Sequence, residues 1–351
     1  MAASPYRPAT DMTSPHAQRR ILILGAGNIG CWFGGRLQAA GAEVHFVGRP
    51  RMLESLRTNG LTLTDIDGGR LQLPAAELRL HEAIPDGLDG PWLVLLCVKS
   101  RATAIAAGEL RNKLPAGTLV LSMQNGISNA EVAQAAAPGL TVLPGMVPYN
   151  VAAIGPGCLH RGSDGQLSVQ DHPDLPAWLP LMDAAGLPVA LYDDLKPVQW
   201  GKLLLNLNNI VNALSGQPLR AQLLDNDLRT CTAALIDEAL GLLARAKIKP
   251  MKLGPVSPRW LPWVLRLPTP LFKLAARRML RIDEKARSSM ADDLARNSPT
   301  EVNAINGEVL RLAGKLGVLA PVNARVVTLL KAWTPRSSPM SGRAMRKFLN
   351  V

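Results

Sequence analysis

The sequence predicts an α/β fold, a doubly wound parallel sheet followed by an all-helical C-terminal domain, on three observations. An apolar strand, Ile21-Leu22-Ile23-Leu24, runs directly into the glycine-punctuated turn Gly25-Ala26-Gly27-Asn28-Ile29-Gly30. Strand-like runs then alternate with helical stretches up to about Leu191, as parallel strands joined by crossover helices require. After Asp193-Asp194 the period changes, and residues 195–213, 227–246 and 299–316 carry helical spacing with few strand signals.

In chain order, residues 1–19 mix Pro, Ser, Thr and charge without an apolar centre and are expected to form a disordered tail, neither a signal peptide nor a spanning helix. In the turn after the first strand, Gly25 permits the tight bend, Gly27 lets backbone approach a pyrophosphate with no Cβ in the way, and Gly30 lets the next helix sit close on its strand. That helix runs over 31–40 and is stopped by Gly41. Its N-terminus offers unpaired N–H groups and the positive end of the helix dipole to an anion. Gly25, Ala26, Gly27, Asn28, Ile29 and Gly30 are therefore candidate dinucleotide contacts. The next strand, 43–47, ends at Gly48-Arg49-Pro50-Arg51, where an acid holding the ribose hydroxyls of NAD is expected. Two guanidinium groups stand there instead, which favours the 2′-phosphate of NADP(H) and makes Arg49 a cofactor candidate.

Residues 92–98 and 118–123 read as buried strands and 141–147 as another. The glycine-rich stretch 155–169 reads as turns and short antiparallel strands at one edge, with 189–192 closing the sheet. Two strand ends present polar groups where ligands of open α/β sheets lie, Lys99 in Val98-Lys99-Ser100 and Asn125 in Gln124-Asn125-Gly126. The domain boundaries follow: a nucleotide-binding domain over 20–194, a helical substrate domain over 195–335, and a C-terminal tail over 336–351.

The composition agrees with an enzyme of this size, with 351 residues, 47% hydrophobic and 19% charged. Four dispersed cysteines, Cys31, Cys97, Cys158 and Cys231, show no C-x-x-C spacing, so neither a metal site nor a disulfide framework is expected and a reduced cytoplasm is the natural compartment. No long uninterrupted apolar run occurs.

The helical half opens on Trp200-Gly201-Lys202-Leu203-Leu204-Leu205-Asn206. Lys202 and Asn206 stand one helical turn apart, so an ammonium and an amide share a face. The apolar neighbours suggest a partly desolvated site, which lowers a lysine's pKa toward working pH and suits it to general acid catalysis. Further on, Pro299 followed by Glu301 suits the beginning of a helix.

Together these segments resemble the ketopantoate reductase family. The resemblance rests on Gly25-x-Gly27-x-x-Gly30, Val98-Lys99, Gln124-Asn125-Gly126, Trp200-x-Lys202-Leu203-x-x-x-Asn206, Arg287-Ser288-Ser289-Met290 and Thr300-Glu301-x-x-x-Ile305-Asn306-Gly307, in order over residues 20–331. It implies a Rossmann domain and a helical domain with the active site in the cleft between them. It also implies reduction of 2-dehydropantoate by NADPH to (R)-pantoate, on the way to pantothenate and coenzyme A. Lys202 would be the general acid and Glu301 its partner. Asn206 and Ser289 would bind substrate, Asn125 would sit beside cofactor and substrate, and Lys99 would help on the cofactor side.

Two departures qualify the resemblance. The family's second asparagine falls at Ile210, so a local bulge or shifted register would deliver an amide from Asn208, Asn209 or Asn212; Asn209 is counted among the candidate substrate contacts. Residues 250–284 look inserted, interleaving Trp260, Trp263, Leu271 and Phe272 with basic residues. They are expected to form a packed helical hairpin with solvated basic faces that steers a small anionic 2-oxo acid, with no nucleic acid and no stable membrane association. The net charge is +12. A homodimer is compatible with this reading. The alternatives are a reductase of another branched 2-oxo acid, and a non-catalytic NADPH-sensing or nucleic-acid-associated regulator.

Overall fold

The structure, a computed structural model, describes residues 19–277, 280, 284 and 286–351. All of the expected tail except Arg19 lies outside the described residues. The described chain forms two compact units, one from residues up to Gln124 together with Ser128–Leu195, the other from Asn125–Ile127 together with Lys196–Val351.

The described residues of the first unit form twelve strands. They are β1 (Arg20–Leu24), β2 (Glu43–Val47), β3 (Leu61–Asp65), β4 (Arg70–Leu73), β5 (Arg79–His81) and β6 (Trp92–Leu96). Then come β7 (Leu119–Ser122), β8 (Thr141–Met146), β9 (Val151–Gly155), β10 (Cys158–Arg161), β11 (Leu167–Gln170) and β12 (Val189–Tyr192). Its helices are α1 (Asn28–Ala39), α2 (Pro50–Asn59), α3 (Thr103–Arg111), α4 (Asn129–Ala136) and α5 (Leu179–Ala184). The main sheet has the order β12-β11-β8-β7-β6-β1-β2-β5. Strands β8 through β5 of that order are all parallel, while β11 adds antiparallel to β8.

Both faces of the parallel strands are covered, which is why they read as unbroken apolar runs. Ile21 and Ile23 face a core shared with Trp32, Phe33 and Leu37 of α1, whereas Leu22 and Leu24 face one shared with Ala106 and Leu110 of α3 and Ala133 of α4. Helix α1 lies between two sheets. A Cβ at Gly34 would stand 2.2 Å from the Phe46 ring of the main sheet, and one at Gly35 would stand 2.8 Å from Leu61 of the second. That second sheet has the order β4-β3-β10-β9 and corrects the expected edge: the hairpin β9–β10 pairs with β3, and only β11 of the glycine-rich stretch joins the main sheet. The short strands β3 to β5 had no clear sequence signal.

The second unit is helical: α6 (Lys196–Asn206), α7 (Asn208–Ser215), α8 (Leu219–Leu224), α9 (Asn226–Arg245) and α10 (Leu261–Leu265). These are followed by α11 (Thr269–Ala275), α12 (Ser289–Ala295), α13 (Asn306–Lys315), α14 (Pro321–Lys331) and α15 (Gly342–Leu349). Helix α9 is the central post. Its buried Leu228, Cys231, Leu235, Ala239 and Leu242 recur at helical spacing, and the Asp225 carboxylate caps its start by accepting from Asp227 N and Leu228 N. The expected C-terminal tail is corrected here: α15 is a helix packed on α9, with Met345 and Leu349 fully buried and Arg346 paired to Asp227 at 2.9 Å.

The segment expected to be an insertion is held by Arg229, which is fully buried. Its guanidinium donates to the carbonyls of Leu223, Leu265 and Leu267 at 2.8–2.9 Å and lies 4.3 Å from the Phe272 ring. One arginine thus satisfies carbonyls that the ends of α8 and α10 leave open. Arg259, Lys273 and Arg277 are exposed, and Trp260, Trp263, Leu271 and Leu274 point outward beside them in the sequence.

Candidate active site

In the first unit the sheet order reverses at β1, which lies between β2 and β6, and the loops after these strands bound the crevice where open α/β sheets bind ligands. Gly25 has φ +111° and presses on the end of β6; a Cβ there would lie 2.5 Å from Val98 N. Both Gly25 N and Ala26 N donate to Val47 O, at 2.9 and 2.8 Å, which draws the turn against the end of β2. Gly30 closes the helix onto its strand, since a Cβ would stand 2.2 Å from Gly25 O and 2.8 Å from the Ile23 side chain. Gly27 is different: nothing lies within 4 Å of where its Cβ would be. Its missing side chain therefore serves no protein contact and leaves room for a ligand. The first helical bond runs from Cys31 N to Gly27 O at 2.8 Å, so the N–H groups of Asn28, Ile29 and Gly30 head α1 ahead of the helical ladder. The Asn28 amide donates to Val151 O at 3.0 Å and ties this end of α1 to β9.

These features fit a dinucleotide, with an open cradle over Gly27, a helix N-terminus for a pyrophosphate, and Arg49 beside it. Arg49 caps α2, whose Pro50 starts the helix, and both Arg49 and Arg51 are exposed. No ion pair engages either of them among the described residues.

Lys99 begins the turn after β6 and is half-buried. The polar group that shapes this loop is Gln124, which sequence reasoning passed over as a site residue. Its Nε2 donates to Val98 O and Thr103 Oγ1, both at 2.8 Å, and its Oε1 accepts from Ser122 Oγ at 2.9 Å. Thr103 Oγ1 donates in turn to Asn129 Oδ1, and Asn129 Nδ2 to Ser100 Oγ. A polar side chain directly after an apolar strand was the available signal.

In the second unit, Lys202, Asn206 and Asn209 are all half-buried, and their i, i+4, i+7 spacing gives one stripe. The stripe survives the junction of α6 and α7, because Leu207 keeps φ −59° and ψ −19° and its N still donates to Leu203 O at 3.0 Å. Trp200, Leu203 and Leu204 beside Lys202 are buried, and this desolvation pushes the ammonium down to about 8 from 10.5.

The three asparagines after α6 separate by their bonds. Asn208 Oδ1 accepts from Gln222 at 2.6 Å and Thr232 at 3.2 Å. Asn212, fully buried, accepts from Ser288 N at 2.9 Å and donates to Gln217 O at 2.8 Å. Among the described residues no partner engages the Asn209 amide, while Ile210 is fully buried in the core. Ser288 caps α12 by accepting from Ala291 N, and its hydroxyl donates to Asn209 O at 3.3 Å. The neighbouring Ser289 is exposed at the first helical position.

Glu301 does not begin a helix, contrary to expectation. It precedes a single 3₁₀ turn, Val302–Ala304, and α13 starts only at Asn306. The reason is the distorted backbone at Ile305, φ −111° and ψ −83°. The Glu301 carboxylate accepts from Asn125 Nδ2 at 3.0 Å, and Gly126 (φ +103°) packs so tightly on Ala304 that a Cβ would lie 2.6 Å from its carbonyl. The structure thus joins Asn125 and Glu301, 176 residues apart. Asn306 proves structural: it is fully buried and donates to Asn323 Oδ1 at 3.0 Å, while Glu238 caps α14.

Comparison with known proteins places these units. Residues 21–174 match the family model of ketopantoate reductase PanE/ApbA, and residues 194–334 match that of the ketopantoate reductase PanE/ApbA C terminal. The chain is similar to the 2-dehydropantoate 2-reductase of Archaeoglobus fulgidus, 26% identical over 330 residues that cover 89% of this chain and 97% of the other. With the enzyme of the same name from Pyrobaculum aerophilum it is 29% identical over 232 residues, 65% of this chain and 75% of the other. The crystal structure of a PanE/ApbA family ketopantoate reductase from Ralstonia eutropha JMP134 aligns with a TM-score of 0.73 and 26% identity, covering 89% of this chain and 97% of that one. A D-mandelate dehydrogenase solved with NADH and anilino(oxo)acetate aligns with a TM-score of 0.72 at 19% identity, covering 95% of this chain and 99% of that one, a likeness of fold alone. Since the two family domains follow in order over most of the chain, this protein is an NAD(P)-dependent oxidoreductase of the ketopantoate reductase family.

Proposed function

We propose that the protein reduces 2-dehydropantoate to (R)-pantoate with NADPH. The observation that carries this reading is Lys202, a lysine brought down to about 8 by desolvation on a stripe that also bears Asn206 and Asn209. NADPH, when bound, supplies the hydride. Lys202 meets the negative charge that develops on the ketone oxygen and passes its Nζ proton there. Asn206 and Asn209 offer amides to the substrate's oxygens, and Ser289 offers a hydroxyl. Glu301, held by Asn125 at 3.0 Å, accepts a substrate hydroxyl or orients the lysine. Arg49 and Arg51 favour NADPH over NADH by pairing the 2′-phosphate, and Lys99 acts on the cofactor side. The names of the curated relatives support the substrate.

A second reading, reduction of another branched 2-oxo acid, is favoured by Ile210, which puts a core side chain where the resemblance expects an amide. The test is nicotinamide oxidation by purified protein with 2-dehydropantoate against a panel of 2-oxo acids, with NADH and Lys202→Ala as controls. Fast, NADPH-preferring, lysine-dependent turnover of dehydropantoate is expected. Faster turnover of another oxo acid replaces the substrate, and no turnover on any of them overturns the reading.

A further inference from the structure

The segment expected to be an insertion carries a surface that the reaction does not use. Trp260 is 53% exposed and Trp263 61%, one turn apart at the start of α10, and on α11 Leu271 is 54% and Leu274 75% exposed. Four large apolar side chains within fifteen residues form a concentration that solvent-facing surfaces seldom keep without a partner. They are rigidly mounted. The opposite sides of the same helices bury Leu261, Val264, Leu265 and Phe272, and Arg229 holds the carbonyls of Leu265 and Leu267.

The charge along this segment is predominantly basic, with Asp237, paired to Arg266, the one acid that an ion pair brings to it among the described residues. From Ala239 to Arg277 the sequence has eight Lys and Arg and no Asp or Glu. Arg259, Lys273 and Arg277 are exposed among the apolar side chains, with the Arg259 guanidinium 5.4 Å from the Trp260 ring. Of the eight, only Arg266 has an ion-pair partner among the described residues, Asp237. A second copy of this chain, itself at +12, would bring like charge against like. A single-stranded nucleic acid would stack on the tryptophans but give Leu271 and Leu274 nothing to bury against. An anionic lipid surface satisfies every group: leucines enter the acyl boundary, indoles lie at headgroup level, and lysine and arginine reach the phosphates.

We propose that residues 259–277 form a peripheral docking face for anionic phospholipid membranes. Among the described residues no helix is long and apolar enough to cross a membrane, and none is required, since the fold presents the face ready-made.

The test uses the full chain with vesicles of phosphatidylcholine alone or mixed with phosphatidylglycerol, read by co-sedimentation and tryptophan emission. Trp32, Trp92, Trp178 and Trp200 are already buried and Trp333 is half-buried, so a shift to shorter wavelength reports mainly Trp260 and Trp263 leaving water. Binding and the blue shift are expected with the anionic vesicles only, and are weakened by salt. The double variant Trp260→Ser/Trp263→Ser should abolish the shift, and Leu271→Ser/Leu274→Ser should weaken binding at least about tenfold, each with nicotinamide binding retained. Absence of sedimentation with anionic vesicles overturns the proposal, as does undiminished binding of both variants. Retention by single-stranded RNA without vesicle binding would assign the face to nucleic acid instead, and a dimer dissolved by the tryptophan variants would assign it to a second copy.

Discussion

Lys202 titrates where its role can be read directly. With a pKa of about 8 in place of 10.5, about nine-tenths of the protein carries the proton near pH 7 and about one-tenth near pH 9, whereas an ordinary lysine stays protonated throughout. If Lys202 donates the proton, kcat/KM for ketone reduction holds below pH 8 and falls about tenfold from pH 7 to pH 9. The same desolvation has a stability consequence of determined sign. The folded protein binds fewer protons than the unfolded chain between about 8 and 10.5, so stability rises with pH across that window, and the full penalty is present below it. That penalty is about 3 kcal/mol. Lys202→Met should therefore lower turnover by about 10²–10⁴, and its stability relative to the parent protein should fall by about 3 kcal/mol as pH rises from about 8 to 10.5. Steady-state kinetics and urea melts at matched pH measure both. A flat rate profile between pH 7 and 9, together with a stability difference that does not change between pH 8 and 10.5, would refute the desolvated-acid argument.

Two glycines separate ligand space from packing space. Gly27→Ala should leave stability within about 0.5 kcal/mol yet weaken dinucleotide binding at least about tenfold, whereas Gly30→Ala should cost about 1–3 kcal/mol in a denaturant melt. Arg49→Asp should weaken NADPH by about ten- to a hundredfold and NADH only slightly, by fluorescence titration; equal losses would mean the 2′-phosphate is read elsewhere. Arg229→Met, which leaves three carbonyls without their donor, should destabilise the protein by about 3–5 kcal/mol, and an undiminished urea midpoint would show that other groups hold the segment expected to be an insertion.

What the sequence by itself determined is what local chemistry controls. Four apolar residues running into three spaced glycines specify a strand, a turn and a helix start, because each step depends on neighbours along the chain and on the absence of Cβ atoms. The half-buried Lys202 was legible for the same reason, since the apolar residues that desolvate it are its own helical neighbours. Only the tertiary structure decided features that rest on distant partners. It paired β9–β10 with β3 rather than the main sheet, because hydrogen-bonding edges carry no sequence label. It turned 342–349 from a tail into a core helix, because Met345 and Leu349 found α9. It singled out Asn209 by occupying Asn208 and Asn212 through Gln222, Thr232, Ser288 and Gln217, and it drew Asn125 to Glu301 across 176 residues. Periodicity says which way a side chain faces, but a hydrogen bond between distant residues exists only once the chain has brought its donor and acceptor together.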